Sequence, residues 1–180
     1  MLEYWKTLES QNLYVAEPWL RLSRDRVQLP DGRIIEDYHQ VHMQDYVVLL
    51  VQVPDGRLLL VRQYRQGIGA VSLMLPGGAI EPGEDPLAAA QRELLEETGY
   101  QARNWRSLCQ FVSSPNYGCG RGHIYMAQNA QQVTAPNSGD LEEMELVWLE
   151  PEAALAAIQS GEVVALSAIA AISLAILTPG

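Results

Sequence analysis

The stretch from Asp85 to Gly99 constrains the fold more than any other part of this chain. Asp85 suits a helix N-cap, Pro86 suits the first helical position, and Gly99 suits the left-handed residue that closes a helix. The spacing predicts a helix over 86–98. Its apolar residues Leu87, Ala90, Leu94 and Leu95 fall on one side and require a surface to cover them. That surface is supplied by β-rich runs around two Pro-Asp-Gly turns, at 30–32 and 54–56. Proline presets the turn and glycine accepts positive φ, so the runs predict hairpins pairing 20–29 with 33–43 and 46–53 with 57–65. Further strand-like runs lie at 104–113, 122–128 and 144–149. A second helix starts at Pro151 and stops near Gly161, and a third spans 165–177. The order predicts an α/β protein, a mixed sheet with helices packed on it. Residues 1–43 are expected to form a strand arm, and 44–180 the main domain. The polar segment 129–141, with Pro136 and Gly139, reads as a mobile loop.

Composition narrows the partners. Of 180 residues 48% are apolar, enough for a full core. Twelve Lys and Arg against 22 Asp and Glu give a formal charge of −10. A chain this acidic is a poor partner for nucleic acid or an anionic membrane. An anionic substrate remains open to it, because a bound divalent cation reverses the local field. Cys109 and Cys119 are too few for a disulfide scaffold and read as free thiols in a reducing compartment. Charged residues interrupt the first 19 positions, so no leader is expected there. The apolar stretch 163–177 is short of the roughly 20 residues that a membrane span needs. The expected location is the cytoplasm.

The chemistry concentrates on the 86–98 helix. Glu93, Glu96 and Glu97 are three and four residues apart and lie within roughly 100° of one another around the helix. Like charges at this spacing weaken a helix, and Arg92, placed mainly beside Glu96, relieves only part of it. Three adjacent carboxylates are accounted for if a cation bridges them, and hard oxygen donors suit Mg²⁺ or Mn²⁺. A loop with Gly77, Gly78 and Gly83 precedes the helix. Such glycines let backbone approach a ligand closely.

Gly78, Glu84 and the run Arg92-Glu93-Leu94-Leu95-Glu96-Glu97-Thr98-Gly99 resemble the signature box of the Nudix hydrolases at every fixed position. Tyr100, where an aliphatic residue is usual, is a soft departure. The resemblance implies an α/β/α Nudix sandwich with a mixed sheet, plus an N-terminal β-hairpin arm. It implies Mg²⁺-dependent hydrolysis of a nucleoside diphosphate linked to another group. It also implies that Glu93, Glu96 and Glu97, with the Gly77 carbonyl, bind metal, and that Glu84 and Arg92 brace the loop and helix.

Outside the box the chain resembles the ADP-ribose pyrophosphatase branch, which includes other sugar-nucleotide hydrolases. The run Arg62-Gln63-Tyr64-Arg65, the position of Pro115, and the tail Leu146-Val147-Trp148-Leu149 carry that likeness. It implies a nucleotide-sugar substrate, ADP-ribose first, with GDP-mannose or another such compound as the alternative. It implies Arg62 and Arg65 as substrate contacts, with Arg65 near the phosphates. Arg121 is a further candidate for a phosphate or sugar, and Tyr46, Trp19, Tyr64 and Tyr117 are candidates to stack on a base or ribose. A homodimer built through the N-terminal strands is expected. Two departures stand out. Met74 takes a place that is usually acidic, and the loop 113–123 holds no carboxylate where a catalytic Glu is usual. The general base is therefore sought among Glu93, Glu96, Glu142, Glu143, Glu145 and His123. A weakly active nucleotide-binding regulator is the third reading, and the intact box argues against it.

Overall fold

The computed structural model of this chain describes residues 3–137, 139 and 143–177. It resolves into two units, one comprising the chain up to Asp45 with Phe111–Arg121, the other Tyr46–Gln110 and the chain from Gly122 onward.

In the first unit β1 (Lys6–Ala16), β2 (Leu20–Gln28) and β3 (Ile34–His42) form an antiparallel meander. The expected hairpin at 20–43 is present. Its Gly32 has φ of 87°, and its N–H donates to the Leu29 carbonyl over 3.0 Å. β1 adds a third strand that the sequence reading left out. Nearly every β1 residue is exposed, so it lacks the one-sided alternation by which a half-buried strand is read. β3 lies parallel to the first residues of β9 (Gly118–Gln128), where Val41 pairs with Gly118.

The second unit is built around β4 (Tyr46–Gln52), which lies between the parallel β9 and the antiparallel β5 (Leu58–Arg65). Val47 to Val51 are all buried, the continuous apolar run of a strand covered on both faces. β11 (Met144–Leu149) pairs with β5, as does the short β6 (Ala70–Met74). Val47, Leu49, Val51, Leu59 and Ala127 face α1 (Pro86–Thr98) and meet its Ala89, Ala90 and Leu94. Burying a side chain such as Leu94 contributes about 1.5–3 kcal/mol. The alternate residues point to the other face, where α3 (Leu166–Leu177) packs and α2 (Pro151–Ser160) leans on α3. The three-layer α/β/α arrangement matches the expectation.

β4 and β5 pair directly only at Val51–Leu59 and Gln52–Leu58. At its start β4 is followed by the glycine loop instead, since the Val47 and Leu49 N–H groups donate to the Gly78 and Pro76 carbonyls over 2.9 Å. Within the segment expected as a loop, β10 (Gln131–Gln132) pairs with β7 (Tyr100–Gln101), and residues 138, 140 and 141 lie outside the described residues. β8 (Asn104–Ser114) pairs with β9. Both cysteines are free. Among the described residues no helix is long and apolar enough to cross a membrane.

Candidate active site

α1 forms where the caps predict. Asp85 Oδ1 accepts from the N–H groups of Leu87 (2.9 Å) and Ala88 (3.2 Å), satisfying two of the orphan donors of the first turn. Gly99 sits at φ 73° and donates to the Leu95 carbonyl. The cap also has a packing reason, because a Cβ at Gly99 would lie 2.2 Å from the Thr134 carbonyl oxygen. The segment after β10 is strapped to this helix end. Val133 and Thr134 donate to the Gly99 carbonyl, and the Asn137 N–H donates to the Glu96 carbonyl over 2.8 Å. The strap was not read from sequence, since backbone donors leave no side-chain signature.

The carboxylates of α1 are held by one guanidinium and one backbone N–H. Arg92 Nε and Nη2 donate to the two oxygens of Glu84 (3.0 and 2.9 Å), Nη1 to Glu93 (2.7 Å) and Glu96 (3.2 Å), and Nη2 also to the Ala79 carbonyl. All five donors of the fork are therefore used. Arg92 was expected mainly beside Glu96, but Glu96 holds its longest bond and Glu84 its two-pronged one. The reason is reach: the guanidinium folds back over the loop, which a helical wheel does not represent. Arg92 holds the Glu84 carboxyl below the usual carboxylate range, with the Glu81 N–H adding to that. The bond to Glu84 in turn raises the Arg92 pKa.

Glu97 is buried, and its Oε2 accepts the Gly77 N–H over 2.8 Å. Glu93 lies against Gly78 so closely that a Cβ there would sit 2.5 Å from its carboxylate. Gly77 has φ of 149°, and a Cβ on it would meet the Val47 carbonyl oxygen at 2.1 Å. Both glycines are thus required for the loop to lie between β4 and the carboxylates. Among the described residues no three His, Cys, Asp or Glu side chains converge into a ready-made metal cage, because Glu93 turns to Arg92 and Glu97 to Gly77. The donor set nevertheless fits a divalent cation. Three carboxylates, Glu84, Glu93 and Glu96, share one guanidinium and Glu97 lies one turn along from Glu93; all are hard oxygen donors, and Glu93 and Glu97 are largely shielded from water.

The expected substrate contacts separate. Residues of β5 alternate, so Arg65 shares the α1 face with Leu59 and Gln63, while Arg62 points to the opposite face. There Arg62 Nη1 meets Glu145 at 3.1 Å. Arg65 packs its guanidinium on the carboxamide of buried Gln63, a residue not singled out from sequence although its i, i+2 spacing to Arg65 carried the signal. Tyr46 bridges Ala79 at the start of β4, beside the glycine loop. Arg121 belongs to the first unit, where its N–H donates to Asp45 Oδ1 over 2.8 Å. His123 is buried in β9 in register with Val47. Glu143 is exposed, and Glu142 lies outside the described residues.

The model of the NUDIX domain matches residues 42–167, and that of the nucleoside diphosphate sugar hydrolase N-terminal domain matches residues 5–41. The chain belongs to the Nudix family, whose hydrolases generally work with divalent metal cations. A methanol dehydrogenase activator of Bacillus methanolicus is 30% identical over 144 residues, covering 80% of this chain and 76% of that one. An ADP-ribose pyrophosphatase of Bacillus subtilis is 28% identical over 159 residues, covering 88% and 85%. The crystal structure of an ADP compounds hydrolase superposes with a TM-score of 0.86 at 21% identity, covering 98% of this chain and 95% of the other, and has the same fold.

Proposed function

We propose that this protein hydrolyses the diphosphate bond of a nucleoside diphosphate sugar, ADP-ribose first, yielding AMP and ribose 5-phosphate with Mg²⁺ as its cation and Mn²⁺ as a substitute. The observation that carries the reading is the placement of Glu97 against Gly77 and of Glu93 against Gly78, with Glu96 joined to Glu93 through Arg92. The match of residues 5–41 to the sugar-hydrolase N-terminal domain and the ADP-ribose pyrophosphatase among the relatives support the substrate class.

In this reading Glu93, Glu96 and Glu97, with the Gly77 carbonyl, hold the cation. Bound there, a divalent cation neutralises the diphosphate and acidifies the attacking water. Arg92 fixes the directions of Glu93 and Glu96 and keeps the loop closed on the helix. Arg65, on the α1 face, binds a phosphate through its planar fork, and Tyr46 lines the approach. Arg62 stays with Glu145 and contributes steering rather than direct contact. The general base is Glu93, Glu96, Glu142 or Glu143, since Glu145 is engaged by Arg62 and His123 is buried in β9.

Another nucleotide sugar, such as GDP-mannose, is the second reading. Met74 and the carboxylate-free loop at 113–123 favour it, because both change the surroundings of the substrate. The exposed apolar residues Leu8, Leu13, Tyr14 and Val15 of β1 support a homodimer through the N-terminal strands. A panel of ADP-ribose, GDP-mannose, UDP-sugars and diadenosine polyphosphates separates the readings. ADP-ribose is expected to turn over fastest. A faster GDP-mannose would move the assignment to the second reading, and no turnover above a Glu97→Gln control would defeat both.

A further inference from the structure

A cleft of about 470 Å³ opens in the second unit at the turn end of β4 and β5, lined by Val53, Asp55, Arg57, Tyr100, Gln131, Gln132 and Trp148 among others. Val53, just past the end of β4, lies five residues from Val48, beside which Gly77 packs, a separation of roughly 16 Å for extended chain. None of these side chains takes part in the diphosphate chemistry, and the volume suits a small ligand.

The lining specifies the ligand. Tyr100 belongs to the core cluster around α1, the partly buried Trp148 packs against that cluster, and the two give the cleft aromatic lining, which attracts the face of a planar ring. Tyr100 is held in place by the β7–β10 pairing, which puts it opposite Gln132. Gln132, paired across from Tyr100 and so on the same face of the two strands, brings a carboxamide, which offers a donor and an acceptor side by side and matches the edge of a base. Charge is cancelled or negative. Asp55 Oδ2 accepts from Arg57 Nε at 2.9 Å and Nη2 at 2.7 Å, and Glu150 adds a negative field at Arg57. A phosphate would meet no uncompensated cation here.

We infer that this cleft is a second ligand site, taking an uncharged planar heterocycle with a hydrogen-bonding edge, a purine nucleoside rather than a nucleotide.

The test is calorimetric titration of the full chain with adenosine and with AMP, in EDTA. Two variants accompany the parent, Tyr100→Leu and the exposed Gln132→Ala, each checked for an unchanged melting temperature. Adenosine is expected to bind more tightly than AMP, and loss of the ring or the carboxamide to weaken it about tenfold while metal-dependent hydrolysis is unchanged. Should Tyr100→Leu fail to fold, Gln132→Ala decides alone. The inference is overturned if adenosine gives no binding heat, if AMP binds more tightly, if adenosine binding survives the substitutions, or if hydrolysis falls in step with binding.

Discussion

Arg92 spends every donor it has within the loop and helix that carry the site, two of them on Glu84. Its role is to fix directions, and the consequence is visible in pH. Glu84 has an ordinary pKa of 4.5, lowered in the folded state by Arg92. A lowered carboxyl contributes stability that is present above 4.5 and lost as pH falls through the folded-state value below it. Glu84→Gln should therefore melt lower than the parent at neutral pH and show a flatter decline below pH 4.5, read from thermal unfolding across pH. Gly78 gives a second prediction. A methyl there would occupy space 2.5 Å from the Glu93 carboxylate, so Gly78→Ala displaces that carboxylate. Hydrolysis should drop about 10–100-fold with little change in melting temperature, since Gly78 needs no special backbone conformation. The carboxylates were legible in the sequence because helix spacing fixes their neighbours. The pair Arg62 and Arg65 was legible only as chemistry, because strand alternation and the choice of buried face decide which of them meets α1.

Among the elements, α1 was read to its ends because both caps are local, Asp85 acting on the next three residues and Gly99 on its own φ. Asp85→Ala removes two bonds to the first turn and should cost about 1 kcal/mol, seen as a melting point lower by about 2–4 °C. The two hairpins, β11 and the later helices were legible for the same reason, as turns and caps punctuate them. β1, β6 and the β7–β10 pair were not. β1 is exposed on both faces, β6 has five residues with two exposed, and β7 and β10 are held by backbone pairing alone. None of these leaves a periodic apolar pattern to read.

At the scale of the whole molecule, the exposed β1 is the feature that a lone copy leaves unexplained. Leu13 and Val15 on one side of the strand and Tyr14 on the other are each between 44% and 58% exposed. Apolar surface of this kind on an edge strand favours a partner strand. Light scattering should return twice the chain mass of 20.0 kDa. The double variant Leu13→Glu with Val15→Glu should return the single mass, and a monomeric parent would remove the homodimer from the account.

In the proposed function the carboxylates of α1 bind a divalent cation with which the protein hydrolyses a nucleotide sugar. Its most direct test is AMP release from ADP-ribose as Mg²⁺ is titrated into metal-free protein, for the parent and for Glu97→Gln. The parent should be silent without metal and saturate with it, and Glu97→Gln should be slower by at least about 100-fold. Equal rates in the two proteins, or AMP release that ignores Mg²⁺, would contradict it.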